Sequence, residues 1–212
     1  MAKHRPGLTR LIVTKMQLTL LLYQKYFSMS NSCGLQDAEL DLSQKANQNE
    51  CTPSEPRNEG MYLADYVNGK ILGEELSRNH KNYVIVRPGQ IYGFGANGEM
   101  DVRMKRIQGE ISKNGKMVRS ANVNISIIHV NDLADCIVEL FDSDYIGTLC
   151  VASDKIVSYF EFYQFLSEQI GISGDKIIPE YSNEFSAGYF DTTKAQSLLK
   201  SNIRNISAVH LR

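Results

Sequence analysis

From Met61 onward short β-branched runs alternate with stretches of helical periodicity, and no other feature narrows the choice of fold as much. Leu63, Tyr66, Val67, Leu72 and Leu76 recur at mostly helical spacing and predict a helix within residues 61–79. Asn82 to Val86 reads as a short apolar strand ending before Pro88, followed by a glycine-rich turn and a helix over 101–112. Val123 to Val130 predicts another strand, and residues 131–141 a helix with Asn131 as its N-cap. After a strand from Gly147 to Ala152, Ser158 and Glu161 have the spacing of a capping box that opens a helix reaching about Ile170. Lys176 to Pro179 is a last strand, and Asp191 opens a short final helix. Strands and helices alternating at these lengths predict an α/β fold with a largely parallel sheet.

The residues before Met61 read differently. Asn31 to Gly60 is polar and short of β-branched residues, the composition of a loop or partly disordered connection. The chain therefore divides near residue 60. Its 212 residues suit one domain, or one and a half. With 42% hydrophobic and 22% charged residues, collagen-like, coiled-coil and wholly disordered chains are excluded.

A net charge of −1 gives no overall field to recruit nucleic acid. The charge is uneven, however. Residues 1–36 carry five bases and no acid, and the remainder holds 18 bases against 24 acids. Leu18 to Tyr23, behind that basic stretch, faintly resembles a signal or transit peptide, but Lys15 and Lys25 bracket it and no Ala-x-Ala site follows. No run approaches the roughly 18 apolar residues of a membrane span, so no membrane partner is expected. Cys33, Cys51, Cys136 and Cys150 form no CxxC pair and are expected as reduced thiols of a cytoplasmic protein. The four histidines are dispersed as well, and no metal site is expected.

Tyr66 and Lys70 stand at i and i+4, one turn apart on one helix face. An ammonium beside a phenol favours the phenolate and lowers a pKa that is otherwise about 10. Such a tyrosine can give a proton to a carbonyl oxygen as hydride arrives, or take one from an alcohol. A half-buried ring beside a solvated lysine gives the same spacing by chance.

Context adds to that pair. The segment from Asn82 through Arg87-Pro88-Gly89-Gln90 to Gly93 follows the helix at once. Ser126 to Ala134, with His129 and Asp132, then leads into another helix. Gly147 to Ser153 and the capped Ser158-Tyr-Phe-Glu161 come later. This ordered series resembles extended short-chain dehydrogenases/reductases, the NAD-dependent epimerase/dehydratase superfamily, and within it the dTDP-4-dehydrorhamnose reductase branch. The resemblance covers about residues 50–200. It implies a partial doubly wound, Rossmann-like parallel sheet with a small C-terminal α/β substrate lobe. Residues 61–212 would be the C-terminal part of such a domain, and residues 1–60 an atypical remnant of the cofactor half. It further implies Tyr66 as catalytic acid/base, with Lys70 holding the nicotinamide ribose of NAD or NADP. Pro88 and Gly89 would form the turn that passes the nicotinamide, and Gln90 would face a sugar or nucleotide-sugar substrate. His129 and Asp132 fall at a structural junction, and read alone they are a buried histidine and a helix-start acid.

Three departures qualify these implications. Gly93-Phe-Gly95-Ala-Asn-Gly98 matches GxGxxG literally, but no acid-terminated second strand follows about 20 residues on, so it reads as an ordinary turn. The glycine-rich strand–turn–helix with which the superfamily opens has no counterpart among Gly7, Gly34 and Gly60, as expected of a truncated chain. Leu8 to Thr14 could be a later strand of that half, and Thr14, Ser28, Ser30 and Ser32 are all candidates for the catalytic hydroxyl. Finally, Ile125 occupies a place where many nucleotide-sugar enzymes of the superfamily carry arginine. Arg103, Lys105, Arg106 and Arg119 could substitute, but read better as exposed bases on a solvated helix face.

Two readings stay open. One is an NAD(P)-dependent oxidoreductase, or its C-terminal portion. The other is a catalytically inactive fragment or binding subunit of the same fold. An absent first βαβ unit would leave a sheet edge and an apolar face uncovered. Poor solubility follows from that, or a homodimer or partner protein that covers the face.

Overall fold

The computed structural model describes residues 49–51, 55–61, 64–95, 97–181 and 187–206. The readings made for residues 1–48, including Leu8–Thr14, Leu18–Tyr23 and the candidate hydroxyls, lie outside them. The elements run α1 (Ala64–Arg78), β1 (Val84–Pro88), β2 (Gln90–Tyr92), α2 (Val102–Asn114), β3 (Met117–Ser120), β4 (Asn124–Ile125) and β5 (Ile127–His129). They continue with α3 (Val130–Phe141), β6 (Gly147–Val151), β7 (Val157–Ser158), α4 (Tyr159–Gln169), β8 (Ile177–Glu180), β9 (Ala187–Gly188) and α5 (Thr193–Leu198). Strand β1 pairs with β6, β2 with β5 and β3 with β8, all in parallel, while β4 lies antiparallel to β7 and parallel to β9. This is the α/β class with parallel pairing that the alternation predicts.

Two apolar clusters hold the elements together. One gathers Met104, Ile107, Met117, Phe162, Leu166 and Ile177, so α2 and α4 close over the β3–β8 pair. The other gathers Ile128, Leu133, Cys136, Leu149, Val151 and Leu199, so α3 and α5 close over β5 and β6. Tyr92 in the first cluster meets His129, Phe162 and Phe165 edge-on at centroid distances of 5.2, 5.5 and 5.7 Å, the geometry the ring quadrupole favours. Among the described residues no helix is long and apolar enough to cross a membrane.

The local signals place the elements well and their ends less well. The capping box forms: Ser158 Oγ accepts from the Glu161 N–H at 3.2 Å, and Glu161 Oε2 accepts from the Ser158 N–H at 2.7 Å. The predicted strand 123–130 is instead two strands separated by Ser126, because Ile125 pairs with β7 and β9 while Ile127 pairs with β2. Strand β1 runs through Pro88 rather than ending before it. The N-cap of α3 is His129, not Asn131: β5 passes into the helix with no intervening residue, and the imidazole Nδ1 accepts from the Asn131 N–H at 3.2 Å. Leu72 and Leu76, placed on the apolar side of α1 by their spacing, are 54% and 57% exposed. Nothing among the described residues packs over that side.

Replacing Ser158 with alanine removes one side of the box and leaves an orphan N–H on α4. The expected cost is about 1 kcal/mol, seen as a lower urea midpoint at unchanged slope.

Candidate functional site

Helix α1 carries Tyr66, Lys70, Glu74 and Arg78 at successive i+4 positions, so the four share one face. The Lys70 ammonium lies over the Tyr66 ring, 5.7 Å from its centroid. Burial raises the Tyr66 phenol above its ordinary 10 and lowers the pKa of Lys70. The sequence expectation that the lysine lowers the phenol is not met here: the net shift on Tyr66 is upward, because loss of water around the ring dominates. Tyr66 therefore holds its proton at neutral pH.

Glu74 fastens this helix to the sheet. Arg87, in β1, forks onto it with Nε to Oε1 at 2.9 Å and Nη2 to Oε2 at 2.8 Å, while Arg78 also donates to Oε2 at 2.8 Å. Burial alone would raise the Glu74 carboxyl, but the hydrogen bonds and charges of Arg87 and then Arg78 hold it below its ordinary value. Helix α1 returns into β1 through only residues 79–83, so the two run antiparallel. Tyr66 sits two turns before Glu74, about 12 Å along the axis, and Gln90 sits three residues beyond Arg87. Both consequently lie toward the C-terminal end of the parallel β1–β6 pair, the end at which open α/β sheets bind ligands.

At that end the chain crosses from one strand pair to the next. Pro88 is in register with Val151. The Gly89 N–H donates to the Val151 carbonyl at 2.9 Å, and the Gln90 N–H to the Ser126 carbonyl at 2.8 Å. A Cβ on Gly89 would stand 2.8 Å from the carbonyl carbon and oxygen of Ser126 and 3.0 Å from Ala152 Cβ, so only glycine fits the crossing. Gln90 Nε2 donates to the Tyr159 hydroxyl at 2.8 Å. Burial raises that phenol, with the Gln90 bond opposing it. Pro88, Gly89 and Gln90 are thus brought together at the crossing, while Tyr66 and Lys70 lie on the helix that Glu74 and Arg87 fasten to β1.

Sequence reasoning missed several partners. It assigned no role to Glu74 or Arg87, although the i+4 spacing from Lys70 was a signal for Glu74. Tyr159 lies 69 residues from Gln90, and nothing local links them. Asp132 stands at the start of α3, as expected, but it is buried and held by Arg204, whose backbone N–H and Nε donate to it at 2.9 and 2.8 Å. His129 is only half-buried, 3.4 Å from the same guanidinium. Its pKa is lowered by burial and then by Arg204.

The substitute bases need correction. Arg103 is not an exposed base: it is 3% exposed, donates to the Ile91 carbonyl through Nη1 and Nη2 at 2.9 Å and pairs with Asp101 at 2.8 Å. A guanidinium offers enough donors to satisfy a buried carbonyl and a carboxylate together. Arg119 is half-buried with its guanidinium 4.4 Å from the Tyr163 centroid. Lys105 pairs with Glu99 on the exposed surface, and Arg106 with Glu110 at a partly covered position.

The residues present fit one end of a dinucleotide. Tyr66 and Lys70 offer the hydroxyl and ammonium suited to a carbonyl and a ribose. For a pyrophosphate, a glycine turn feeding an uncapped helix N-terminus is the usual cradle, and the described residues build none. The N-termini of α2, α3 and α4 are taken by Asp101, His129 and Ser158 with Glu161. The Gly93–Gly98 turn leads into α2, where Asp101 Oδ1 already accepts the Arg103 N–H at 2.7 Å and its negative charge would repel phosphate. Among the described residues no group of three or more His, Cys, Asp or Glu could hold a metal ion.

No protein-family model matches the sequence, and no curated protein does. Among solved structures the fold is similar to a hypothetical dTDP-4-dehydrorhamnose reductase from Sulfolobus tokodaii, at 18% identity and a TM-score of 0.57, covering 79% of this chain and 58% of that one. It is similar also to dTDP-4-dehydrorhamnose reductase from Bacillus anthracis in complex with NADP, at 21% identity and a TM-score of 0.57, covering 76% and 57%. A third is UDP-glucuronic acid 4-epimerase from Bacillus cereus in complex with NAD, at 17% identity and a TM-score of 0.56, covering 79% and 53%. The chain spans somewhat more than half the length of these structures and shares their Rossmann-like fold.

Arg87→Met would leave the Glu74 carboxylate half-buried with only Arg78 beside it. We expect a loss of roughly 1.5–3 kcal/mol at pH 7, the range for hydrogen bonds to charged groups. Glu74 is depressed in the folded state, so its contribution is complete above the unfolded carboxyl pKa and fades as pH falls through the folded one. Urea titrations of both proteins should therefore converge in acid.

Proposed function

We propose that the chain supplies the carbonyl-reducing portion of an NAD(P)-dependent oxidoreductase acting on a sugar or nucleotide-sugar carbonyl in the cytoplasm. One observation supports this reading: Tyr66 and Lys70 stand together on a helix that Glu74 and Arg87 lock to β1 of the β1–β6 pair. The reduced nicotinamide, when bound, supplies the hydride. Tyr66, kept protonated by burial, donates its phenolic proton to the carbonyl oxygen as alkoxide charge develops, and solvent restores it. Lys70 binds the ribose hydroxyls with its half-buried ammonium. Pro88 and Gly89 shape the passage for the nicotinamide. Gln90, whose Nε2 donates to Tyr159, is the residue that would face a sugar hydroxyl. The free thiols of Cys51, Cys136 and Cys150 suit a reducing compartment.

A second reading, a non-catalytic binding subunit of the same fold, is favoured by the lack of a pyrophosphate cradle among the described residues. Titration with NADH and NADPH, followed by cofactor fluorescence in a chain that has no tryptophan, separates the two. The first reading expects saturable binding and turnover of a nucleotide 4-keto sugar. Tyr66→Phe should then retain cofactor affinity and lose roughly 100-fold or more in kcat, the range for a missing general acid. Absence of binding up to millimolar cofactor would reject the oxidoreductase reading in favour of the second.

A further inference from the structure

A buried hydroxyl near the start of α3 goes without a hydrogen bond. Tyr92 is 2% exposed, yet among the described residues its Oη meets no partner, a condition that destabilises the state in which it occurs. Burial and then the charge of Asp132 push this phenol up to about 12, with Arg204 opposing them, so the ring lies within electrostatic reach of both. Asp132 is itself buried, and Arg204 takes both its oxygens. The Arg204 N–H donates to Oδ2 at 2.9 Å and Nε to Oδ1 at 2.8 Å, with Nη2 on Oδ1 as well. Arg204 belongs to a stretch, residues 200–204, that forms neither helix nor strand. Side chains of α3 hold it: Glu139 accepts from the N–H groups of Lys200 and Ser201 at 2.7 and 2.9 Å, and Asp132, two turns earlier on that helix, accepts from Arg204. Leu199 and Ile206 seat its ends in the two apolar clusters. Between them Ser201 and Ile203 line a cavity of about 190 Å³ together with Ala152, Asp154 and Ala195, so the stretch is loosely backed.

His129 makes this arrangement sensitive to protons. Its Nδ1 accepts from the Asn131 N–H at 3.2 Å and stands 3.4 Å from Arg204 Nη2, so two donors face one nitrogen and the ring proton belongs on Nε2. A proton on Nδ1 would oppose both donors and put positive charge at the N-terminus of α3. The ring is faced by Tyr92 of β2, edge-on at 5.2 Å, by Asp132 of α3 and by Arg204, on which Asp135 also acts. Burial and then Arg204 hold the imidazole below its ordinary 6.5, with Asp132 opposing. We propose that the Arg204 stretch is a proton-operated strap with a closed and an open state. Closed, Arg204 takes Asp132, and Tyr92 is left unpaired. Open, the guanidinium is in water, the Tyr92 hydroxyl donates to Asp132, and His129 is free to take a proton. The phenol thus replaces part of what the buried carboxylate loses with Arg204. Because the open state binds the extra proton, opening is favoured as pH falls below the ordinary imidazole value. The bonds from Lys200 and Ser201 hold Glu139 below its ordinary carboxyl value, so it stays ionised through that range and keeps the near end of the strap in place. None of this depends on the oxidoreductase reading.

Amide hydrogen exchange on the full chain tests the strap, read as protection factors so that the intrinsic effect of pH on exchange cancels. Between about pH 7.5 and about pH 5.5 the Arg204 amide should lose protection, by up to roughly tenfold per pH unit, the limit for one proton. The amides of α4 should keep theirs. His129→Asn retains a side-chain acceptor at the N-cap and takes no proton, so it should hold the Arg204 protection constant over the same range. Tyr92→Phe deletes only the unpaired hydroxyl. The open state then loses its second partner for Asp132, and protection of Arg204 at the acid end should rise severalfold above that of the unaltered chain. Protection of Arg204 that does not change with pH in the unaltered chain would overturn the proposal. So would a pH dependence that survives His129→Asn, which would assign the proton to a carboxylate, or exchange in Tyr92→Phe as fast as in the unaltered chain.

Discussion

The passage of Gly89 between Ser126 and Ala152 is the constraint on which the rest of the molecule depends. At this residue the chain leaves one parallel pair and enters the next, and the approach is too close for any side chain. The ladder is continuous through it: Gly89 bonds Val151 on one side and Gln90 bonds Ser126 on the other. Because Ser126 accepts the Gln90 N–H through its carbonyl and the Phe190 N–H through its hydroxyl, the break between β4 and β5 is what lets three segments meet.

The candidate site grows from the same place. Arg87 ends the run of residues before the crossing and holds Glu74. A helix two turns longer than the ion pair then carries Tyr66 and Lys70 toward the crossing, not away from it. A charged fork with little solvent around it is directional as well as attractive, so it sets the helix's rotation and height together. Gln90 is held from the opposite side by Tyr159, the first residue of α4, whose position is set by the capping box.

Much of this was legible in the chain itself. The five helices, the strands Val84–Pro88, Gly147–Val151 and Ile177–Glu180, the Ser158–Glu161 box and the shared face of Tyr66 and Lys70 all arise from interactions within a few residues, whereas the short strands Gln90–Tyr92, Met117–Ser120 and Ala187–Gly188 carried no such signal. What was not legible depends on distant partners. Arg103 reads as a surface base because helix spacing says nothing about the Ile91 carbonyl beneath it. Asp132 reads as a helix-start acid because Arg204 lies 72 residues away. Leu72 and Leu76 read as core by their spacing, yet the described residues leave them exposed, since periodicity marks an apolar face without naming what covers it.

By itself, then, the sequence determined the α/β alternation, the Ser158–Glu161 capping box and the pairing of a phenol with an ammonium one turn on. Backbone propensity, side-chain periodicity and capping act over four residues or fewer, and each is written in neighbouring letters. Tertiary structure alone decided that the predicted strand 123–130 divides at Ser126, that His129 caps α3 and that Tyr159 holds Gln90. It alone decided that the Tyr66 phenol lies above its ordinary pKa, not below it. Each of these outcomes follows from desolvation or from a hydrogen bond between residues far apart in the chain, and such terms take their sign and size only once packing has removed the water.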